Sequence, residues 1–264
     1  MKQRIITAVI AAAVFLPIVI IGGLPFVFMV YLLASIGLYE ALKMQNIKLL
    51  SIPGIISLIL LWIFLIPSEH ILILENMSYS KIELALLAVL LFLTYTVITK
   101  NRFTFDDVAF SVMATLYVGI GFYYFIETRG ADNGLTFVVY SLFLIWATDS
   151  GAYFIGRSMG KRKLWPEISP NKTVEGFIGG IFCAILIAIL FALFTDIGIS
   201  VLVLCLATVV LSVFGQIGDL VESALKRHYN VKDSGTILPG HGGILDRFDS
   251  LLFVLPLLHF MNLL

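Results

Sequence analysis

Residues 174–194 read VEGFIGGIFCAILIAILFALF, an apolar run in which Glu175 is the one ionisable residue. About 20 apolar residues in a helix cross the hydrocarbon core of a bilayer. A strand of this length is excluded, because the open edges of a sheet cannot face lipid. The run therefore predicts a transmembrane helix, with Glu175 in or near its first turn.

The composition of the whole chain extends this prediction. Of the 264 residues, 60% are hydrophobic and 13% are charged, whereas soluble domains average about 45–50% apolar and about 25% charged residues. The 17 basic and 17 acidic residues give a net charge of zero, so there is no basic tail of the kind that binds nucleic acid. We expect an integral membrane protein that contacts the lipid bilayer and does not bind nucleic acid.

Further apolar runs predict an all-α, polytopic membrane helix bundle formed by one domain, residues 1–264. About nine transmembrane helices are expected, at 5–22, 25–42, 51–67, 82–99, 107–126, 135–156, 174–194, 197–217 and 245–263. Only GGLP separates the first two runs, so one re-entrant pair is the alternative interpretation there.

The basic residues predict the orientation of these spans. With the N-terminus in the cytoplasm and the C-terminus outside, only Lys81 and Arg129 fall on the outer side, and Arg247 lies at the inner boundary. The other basic residues fall inside, as the positive-inside rule requires: Lys2, Arg4, Lys43, Lys48, Lys100, Arg102, Arg157, Lys161, Arg162, Lys163, Lys172, Lys226, Arg227 and Lys232.

Ionisable groups in the spans are concentrated after about residue 105. Charged groups in or beside a membrane core are costly and mark functional positions. We therefore expect residues 1–105 to form scaffold helices and residues 106–264 to form catalytic helices with a site at the cytoplasmic side. The later spans carry Asp149, Glu175, Asp219, Glu222, Asp246 and Asp249 at or within their ends.

Asp149 lies inside the predicted span 135–156, in the segment WATDSGAYFIGRSMGK, residues 146–161. It is either a buried carboxylate bonded to a neighbouring hydroxyl, such as that of Thr148 or Ser150, or a ligand for a cation or substrate. The glycines that follow, at positions 151, 156 and 160, favour close contact between helices.

The segment SPNKTVEGFIGG, residues 169–180, has the composition of a helix start. Pro170, Asn171 and Thr173 precede the helix, and Gly176 and Gly180 would form a small-residue packing face. Lys172 is expected beside the helix N-terminus, where backbone N–H groups attract anions. A simple capped helix and an anion site are both compatible with this pattern.

Asp219, Glu222 and Lys226 follow each other at spacings of three and four, which places them on one helical face. Because this helix continues a transmembrane span, the face is expected to line a polar pocket. An exposed, salt-bridged helix surface is the alternative.

The stretch LPGHGGILDRFDS, residues 238–250, begins with a glycine-rich turn. Gly240, Gly242 and Gly243 would let backbone amides approach a ligand closely. Asp246 and Asp249 then lie three residues apart on one face of the next helix. Two carboxylates that share a site with phosphates suit Mg²⁺.

These residues resemble the signature of the phosphatidate cytidylyltransferase family, the CTP-dependent CDP-diacylglycerol synthases, and the compact membrane form is similar to bacterial members. SPNKTVEG and GDLVES also look like family features, so the resemblance covers about residues 140–260. The matching positions are Ser223, Leu225, Lys226, Arg227, Lys232, Asp233, Gly235, Leu238, Pro239, His241, Gly242, Gly243, Asp246, Arg247 and Asp249.

The resemblance implies transfer of cytidylate from CTP to phosphatidic acid with release of pyrophosphate, dependent on Mg²⁺ or another divalent cation. It implies an active site that faces the cytoplasm from the bacterial cytoplasmic (inner) membrane; a homo-oligomer is left open. The expected metal ligands are Asp219, Asp246, Asp249 and Asp149. The expected catalytic residues are Asp219, Asp246, Lys226, Arg227 and His241, and for His241 a structural role in the glycine turn is the alternative. The expected substrate-binding residues are Ser169, Asn171, Lys172, Thr173, Glu175, Ser223, Lys232, Asp233, Gly242, Gly243 and Arg247.

Two other functions compete with this hypothesis. A CTP-dependent lipid kinase, or a cytidylyltransferase for another lipid phosphate, would use the same metal and nucleotide residues. A transporter would use intramembrane carboxylates to move ions. Against a transporter, the charges cluster at one side of the membrane and the sequence has no inverted repeat.

Overall fold

The computed structural model describes residues 2–70 and 79–264, with side chains from Ile6 onward. The side chains of Lys2 and Arg4, which enter the orientation prediction, lie outside the described residues. The helices are α1 (Lys2–Ile21), α2 (Gly23–Met44), α3 (Ile52–Phe64), α4 (Lys81–Ile98), α5 (Phe105–Gly130), α6 (Gly134–Met159), α7 (Val174–Phe194), α8 (Val201–His228), α9 (Leu245–Phe248) and α10 (Leu251–Phe260), with a 3-10 turn at Ser68–His70.

In the described part of the chain every predicted span overlaps a helix, and the protein is a mainly helical membrane protein. By length and composition, six helices are suited to cross a membrane: α2, α4, α5, α6, α7 and α8. Among the residues whose side chains are described, three further apolar helical segments have 10–17 residues: 6–21 of α1, α3 and α10. The last predicted span, 245–263, was wrong as one helix, because the chain forms α9 and α10 with Asp249 and Ser250 between them.

A small β-hairpin between α6 and α7, which the sequence did not predict, is added to the otherwise helical fold. Strands β1 (Lys163–Trp165) and β2 (Ser169–Thr173) pair antiparallel, with Lys163 opposite Thr173 and Trp165 opposite Ser169. The strands are too short to give a recognisable alternation of polar and apolar residues. Pro170 is tolerated because each strand of a two-stranded sheet has a free edge.

Helix ends follow local chemistry. Ser80 and Glu83 form a capping box at the start of α4. The hydroxyl of Thr173 accepts the backbone N–H of Gly176 at 3.1 Å and caps α7, as the sequence predicted. Asparagines in the left-handed conformation follow α2, α4, α8 and α10, where this residue is favoured after glycine; they are Asn46, Asn101, Asn230 and Asn262.

The chain divides into two compact units. The first comprises residues 1–127 and 233–245, and the second comprises residues 128–232 and 246–264. The functional division expected near residue 105 stays a prediction. The contact boundary lies near the end of α5, and the glycine-rich segment joins the scaffold helices.

In the first unit, polar groups join helices whose surfaces are otherwise apolar. The Trp62 indole donates to the hydroxyl of Ser35 at 2.9 Å, and the hydroxyl of Tyr31 donates to the Trp62 carbonyl at 3.2 Å. The Lys81 ammonium donates to the carbonyls of Phe64 and Ile66 at 3.0 and 2.6 Å. These bonds tie α2 to α3 and the end of α3 to α4.

In the second unit, glycines bring α6 and α7 into backbone contact, as the sequence predicted. A Cβ added at Gly151 would lie 2.6 Å from the sulfur of Cys183, and one at Gly180 would lie 2.7 Å from the Thr148 carbonyl oxygen. A Cβ at Gly176 would lie 2.6 Å from the Ala152 carbonyl oxygen. The two helices therefore have no room for larger side chains along this interface.

Gly176→Ala is expected to destabilise the protein. In a helix interior alanine is normally more favourable than glycine. Here the added methyl group would press on the Ala152 carbonyl, and overpacking of this kind costs about 1–3 kcal/mol. Thermal unfolding in detergent should show a lower midpoint. Gly130→Ala is the matched control, because a Cβ there meets no atom within 4 Å. Equal midpoints for both variants would contradict the backbone contact.

Candidate active site

A cavity of about 570 Å³ opens in the second unit, within the usual range for ligand sites of about 300–1,000 Å³. Four basic side chains face two acidic ones, so the lining is net positive. Such a surface suits a polyanionic ligand such as a triphosphate. The charged lining residues are Arg157, Lys161, Lys163, Lys172, Asp149 and Asp219.

The hairpin and two helices place these groups together. α6 carries Asp149 and Arg157, β2 carries Lys172, and α8 carries Asp219. A Cβ at Gly156 would lie 2.9 Å from the Thr173 hydroxyl, so the end of α6 can approach the start of α7 only without side chains at this point. The close helix pair therefore forms one wall of the cavity.

Lys172 and Asp219 form an ion pair at this wall. The Lys172 ammonium lies 2.5 Å from an Asp219 oxygen, and the two side chains are 26% and 34% exposed. Asp149 interacts electrostatically with Asp219, Lys172 and Arg247. The structure thus brings predicted metal and phosphate ligands from separate segments into one charged group.

A second charged group, the Lys226 cluster, consists of Glu222, Lys226 and Asp246. The Lys226 ammonium contacts Glu222 and lies 2.6 Å from an Asp246 oxygen. The side chains of Glu222 and Asp246 are 1% and 7% exposed. Buried charges are tolerated when they are paired. Through its ion pair with Asp246, Lys226 joins the end of α8 to α9.

Asp249 interacts electrostatically with residues of both charged groups. One of its oxygens accepts the backbone N–H of Ser250 at 2.7 Å, and its carboxylate interacts with Asp219, Asp149 and Lys226. A Cβ at Gly218 would lie 2.7 Å from the Asp249 carbonyl oxygen. A glycine at this point of α8 therefore lets the chain carrying Asp249 approach closely.

Carboxylate oxygens are the ligand atoms that hard divalent cations prefer. Asp149, Asp219 and Asp249 are oxygen donors whose negative charges repel one another, and a cation relieves this repulsion. Asp219 forms an ion pair with Lys172, and Asp246 forms one with Lys226. Among residues 2–70 and 79–264, no three carboxylate, imidazole or thiol groups converge as a ready-made metal cluster.

Other predicted residues have defined local partners. The Glu175 carboxylate accepts backbone N–H groups of Lys161 and Arg162 at 3.0 and 3.2 Å, and so ties the hairpin to α7. The Ser223 hydroxyl donates to Asp219 at 3.4 Å, and Arg227 donates to the Ile168 carbonyl at 3.4 Å. Asn171 and Thr173 line the cavity, Ser169 pairs with Trp165 in the hairpin, and Lys232 and Arg247 are exposed.

The glycine loop, residues 234–245, belongs to the first unit together with the exposed Asp233. The Leu238 N–H donates to the Gly242 carbonyl at 3.0 Å, and the His241 N–H donates to the Leu238 carbonyl at 2.8 Å. Gly240 and Gly242 have φ angles of 79° and 83°, which side chains strongly disfavour. The left-handed backbone conformation therefore explains why glycine stands at positions 240 and 242.

Sequence reasoning missed several cavity residues. Arg157, Lys161 and Lys163 line the cavity, although their charges entered only the orientation prediction. Their clustering in GRSMGKRK, residues 156–163, was the available signal. Gln216 also lines the cavity, three residues before Asp219 and thus on the same helical face.

Glu40 in α2 is a further buried acidic residue, 1% exposed. Its position inside an apolar span was a sufficient reason to single it out. The sequence analysis placed the functional carboxylates after about residue 105 and did not include Glu40.

Residues 2–264 match the model of a family described as the cytidylyltransferase family. The chain is similar to the phosphatidate cytidylyltransferase of Bacillus subtilis (strain 168), at 60% identity over 262 residues, which are 99% of this chain and 97% of that protein. It is similar to the phosphatidate cytidylyltransferases of Staphylococcus haemolyticus (strain JCSC1435) and Staphylococcus aureus (strain COL), at 52% and 51% identity over 263 residues, which are 99% of this chain and 98% of each protein.

Proposed function

Because the chain belongs to the cytidylyltransferase family, we propose that it transfers the cytidylyl group of CTP to phosphatidate. The products are CDP-diacylglycerol and pyrophosphate. The protein is therefore a bacterial nucleotidyltransferase of phospholipid biosynthesis, embedded in the membrane that contains its lipid substrate. The observation that carries the proposal is the family match along almost the whole chain.

The charges of the cavity suit the nucleotide substrate. Lys172, Lys161 and Arg157 can neutralise a triphosphate, whose charge otherwise repels an incoming phosphate. The Lys172–Asp219 pair holds the ammonium at the wall, so little conformational entropy is lost when an anion arrives. The contribution of these residues is positioning and electrostatic stabilisation.

The nucleophile needs little activation. The second pKa of a phosphomonoester is about 6, so the phosphate of phosphatidate is largely a dianion at neutral pH. One of its oxygens forms a bond to the α-phosphorus of CTP, and the bond from that phosphorus to the bridging oxygen breaks. The electron pair leaves with pyrophosphate, and no side chain has to remove a proton from the nucleophile.

Asp219, Asp246, Asp249 and Asp149 are the residues that would hold Mg²⁺ or another divalent cation. Bound there, the ion would supply positive charge to the triphosphate and to the leaving pyrophosphate. Lys226 keeps Asp246 oriented through their short ion pair, and the buried Glu222 compensates the charge of Lys226.

The location of the site is part of the proposal. A cytoplasmic N-terminus, about nine spans and an external C-terminus would place the cavity residues Arg157, Lys161 and Lys172 at the cytoplasmic side, where CTP is available. The distribution of basic residues supports this orientation. The membrane would be the bacterial cytoplasmic membrane, and homo-oligomer formation stays a prediction.

Label placement tests the reaction. Purified protein in detergent is given phosphatidate, Mg²⁺ and CTP labelled in either the α- or the γ-phosphate. We expect lipid-bound label from α-labelled CTP and none from γ-labelled CTP. Transfer of the γ-label would indicate a kinase and would overturn the proposal, as would the absence of label in lipid from either substrate.

A further inference from the structure

Glu40 binds the glycine loop from helix α2. Its oxygens accept the backbone N–H groups of Ile244 and Leu245, both at 3.0 Å, and the hydroxyl of Ser234 at 3.1 Å. All these groups lie in the first unit. One buried carboxylate therefore holds both ends of the loop.

Two glycines make room for this carboxylate. A Cβ added at Gly235 would overlap one carboxylate oxygen of Glu40, and one at Gly243 would overlap both. At Gly243 it would also overlap the hydroxyl of Ser234. Positions 235 and 243 therefore need glycine so that the Glu40 carboxylate fits. For Gly243 this is a structural role, separate from substrate binding.

The strength of this arrangement follows from the charge and burial of Glu40. A buried carboxylate is tolerated when its oxygens are hydrogen-bonded. Hydrogen bonds to an ionised acceptor are about twice as strong as those between neutral groups. The N–H groups of Ile244 and Leu245 are consequently held in fixed positions.

We propose that Glu40 is a positioning residue for cytidylyl transfer: it fixes the backbone from which Asp246 and Arg247 project. This inference rests on the proposed function. Leu245 is joined to Asp246 by one peptide bond, and peptide planarity transmits its position to the next residue. A shift of the loop would therefore displace Asp246, which the Lys226 cluster also contacts.

Glu40→Gln tests the proposal with little change in volume. Glutamine offers one acceptor oxygen in place of two, and its NH₂ group would face a backbone N–H. Because small displacements of reacting groups can reduce rates by two orders of magnitude, we expect kcat to fall about 100-fold. The KM values for CTP and phosphatidate should change by less than about threefold, since Glu40 is buried and bonded to the loop.

Hydrogen exchange gives a second measurement that does not depend on activity. In Glu40→Gln, the amides of Ile244 and Leu245 should exchange about tenfold faster or more, because their acceptor is weakened. Ser234→Ala removes the hydroxyl that donates to Glu40 and keeps the carboxylate. In this milder variant kcat should fall about fivefold.

Asp107→Asn is the matched control. Asp107 is another acid of the first unit that accepts a backbone N–H, that of Thr104 at 2.8 Å, and it also accepts from Gln45 at 2.8 Å. We expect this variant to unfold at a lower temperature while its kcat per folded molecule and its loop exchange stay at wild-type values. The control thereby separates general destabilisation from loss of loop position.

A folded Glu40→Gln protein with wild-type kcat would overturn the proposal, and so would loss of activity with unchanged exchange at Ile244 and Leu245. If the wild-type protein forms no CDP-diacylglycerol, the proposed function fails by itself. The exchange comparison would then still decide whether Glu40 holds the loop.

Discussion

Replacing Asp246 with asparagine is expected to lower the rate of CDP-diacylglycerol formation by about 10²–10³-fold, as does the loss of one strong electrostatic contact in other active sites. The Asp246 side chain is 7% exposed and lies 2.6 Å from the Lys226 ammonium. Asparagine has nearly the same shape but no charge, so it binds a divalent cation weakly. Initial rates at saturating CTP and phosphatidate, per folded molecule, measure the effect.

Asp132→Asn is the control for this substitution. Asp132 lies in the same unit, is exposed, and precedes α6. The same change from acid to amide should leave the rate at the wild-type value. A folded Asp246→Asn protein that matched this control would show that Asp246 neither binds a cation nor orients Lys226 for catalysis.

Removal of divalent cations is expected to stop the reaction. A dianion must approach a triphosphate, and the cavity supplies four basic side chains that are themselves partly offset by Asp149 and Asp219. A bound metal contributes several kcal/mol of charge stabilisation in such reactions, which corresponds to at least about 10³-fold in rate. Excess EDTA should abolish turnover, and Mg²⁺ added beyond the chelator should restore it.

EDTA that has been saturated with Mg²⁺ beforehand controls for effects of the chelator on detergent or lipid. Turnover should continue in that sample. Full turnover with metal-free EDTA would mean that the side chains alone neutralise the reactants. The assignment of Asp219, Asp246, Asp249 and Asp149 as metal ligands would then be wrong.

The helices were predictable because a long apolar run in a membrane protein has few alternative structures. Even the approximate bounds of α7 followed from composition, and Thr173 was one of the three residues expected at its start. The hairpin before it was missed because three- and five-residue strands produce no periodic pattern. The break between α9 and α10 was missed for a related reason: the residues on both sides of Asp249 and Ser250 remain apolar, so the pattern reads as one run.

The candidate site was predictable in part. Asp219, Glu222 and Lys226 lie on one helical face, so their spacing already indicated a shared environment. The pairing of Lys172 with Asp219 was not predictable, because it depends on how a hairpin folds against a distant helix. Glu40 lies about 200 positions before its partners, and sequence spacing carries no information about contacts of that kind.

The hairpin carries charged residues of the cavity and the pair α6–α7 provides a glycine-lined interface, and this difference in role has a consequence for how such a protein can change. Lys161 and Lys163 lie on or beside the hairpin, where substitutions alter charge and leave the helix interface intact. Gly151, Gly176 and Gly180 tolerate no such variation, since any added methyl group meets an atom of the neighbouring helix. Selectivity for a differently charged nucleotide could therefore evolve, or be engineered, through the hairpin alone, with the helix pair kept as an invariant platform.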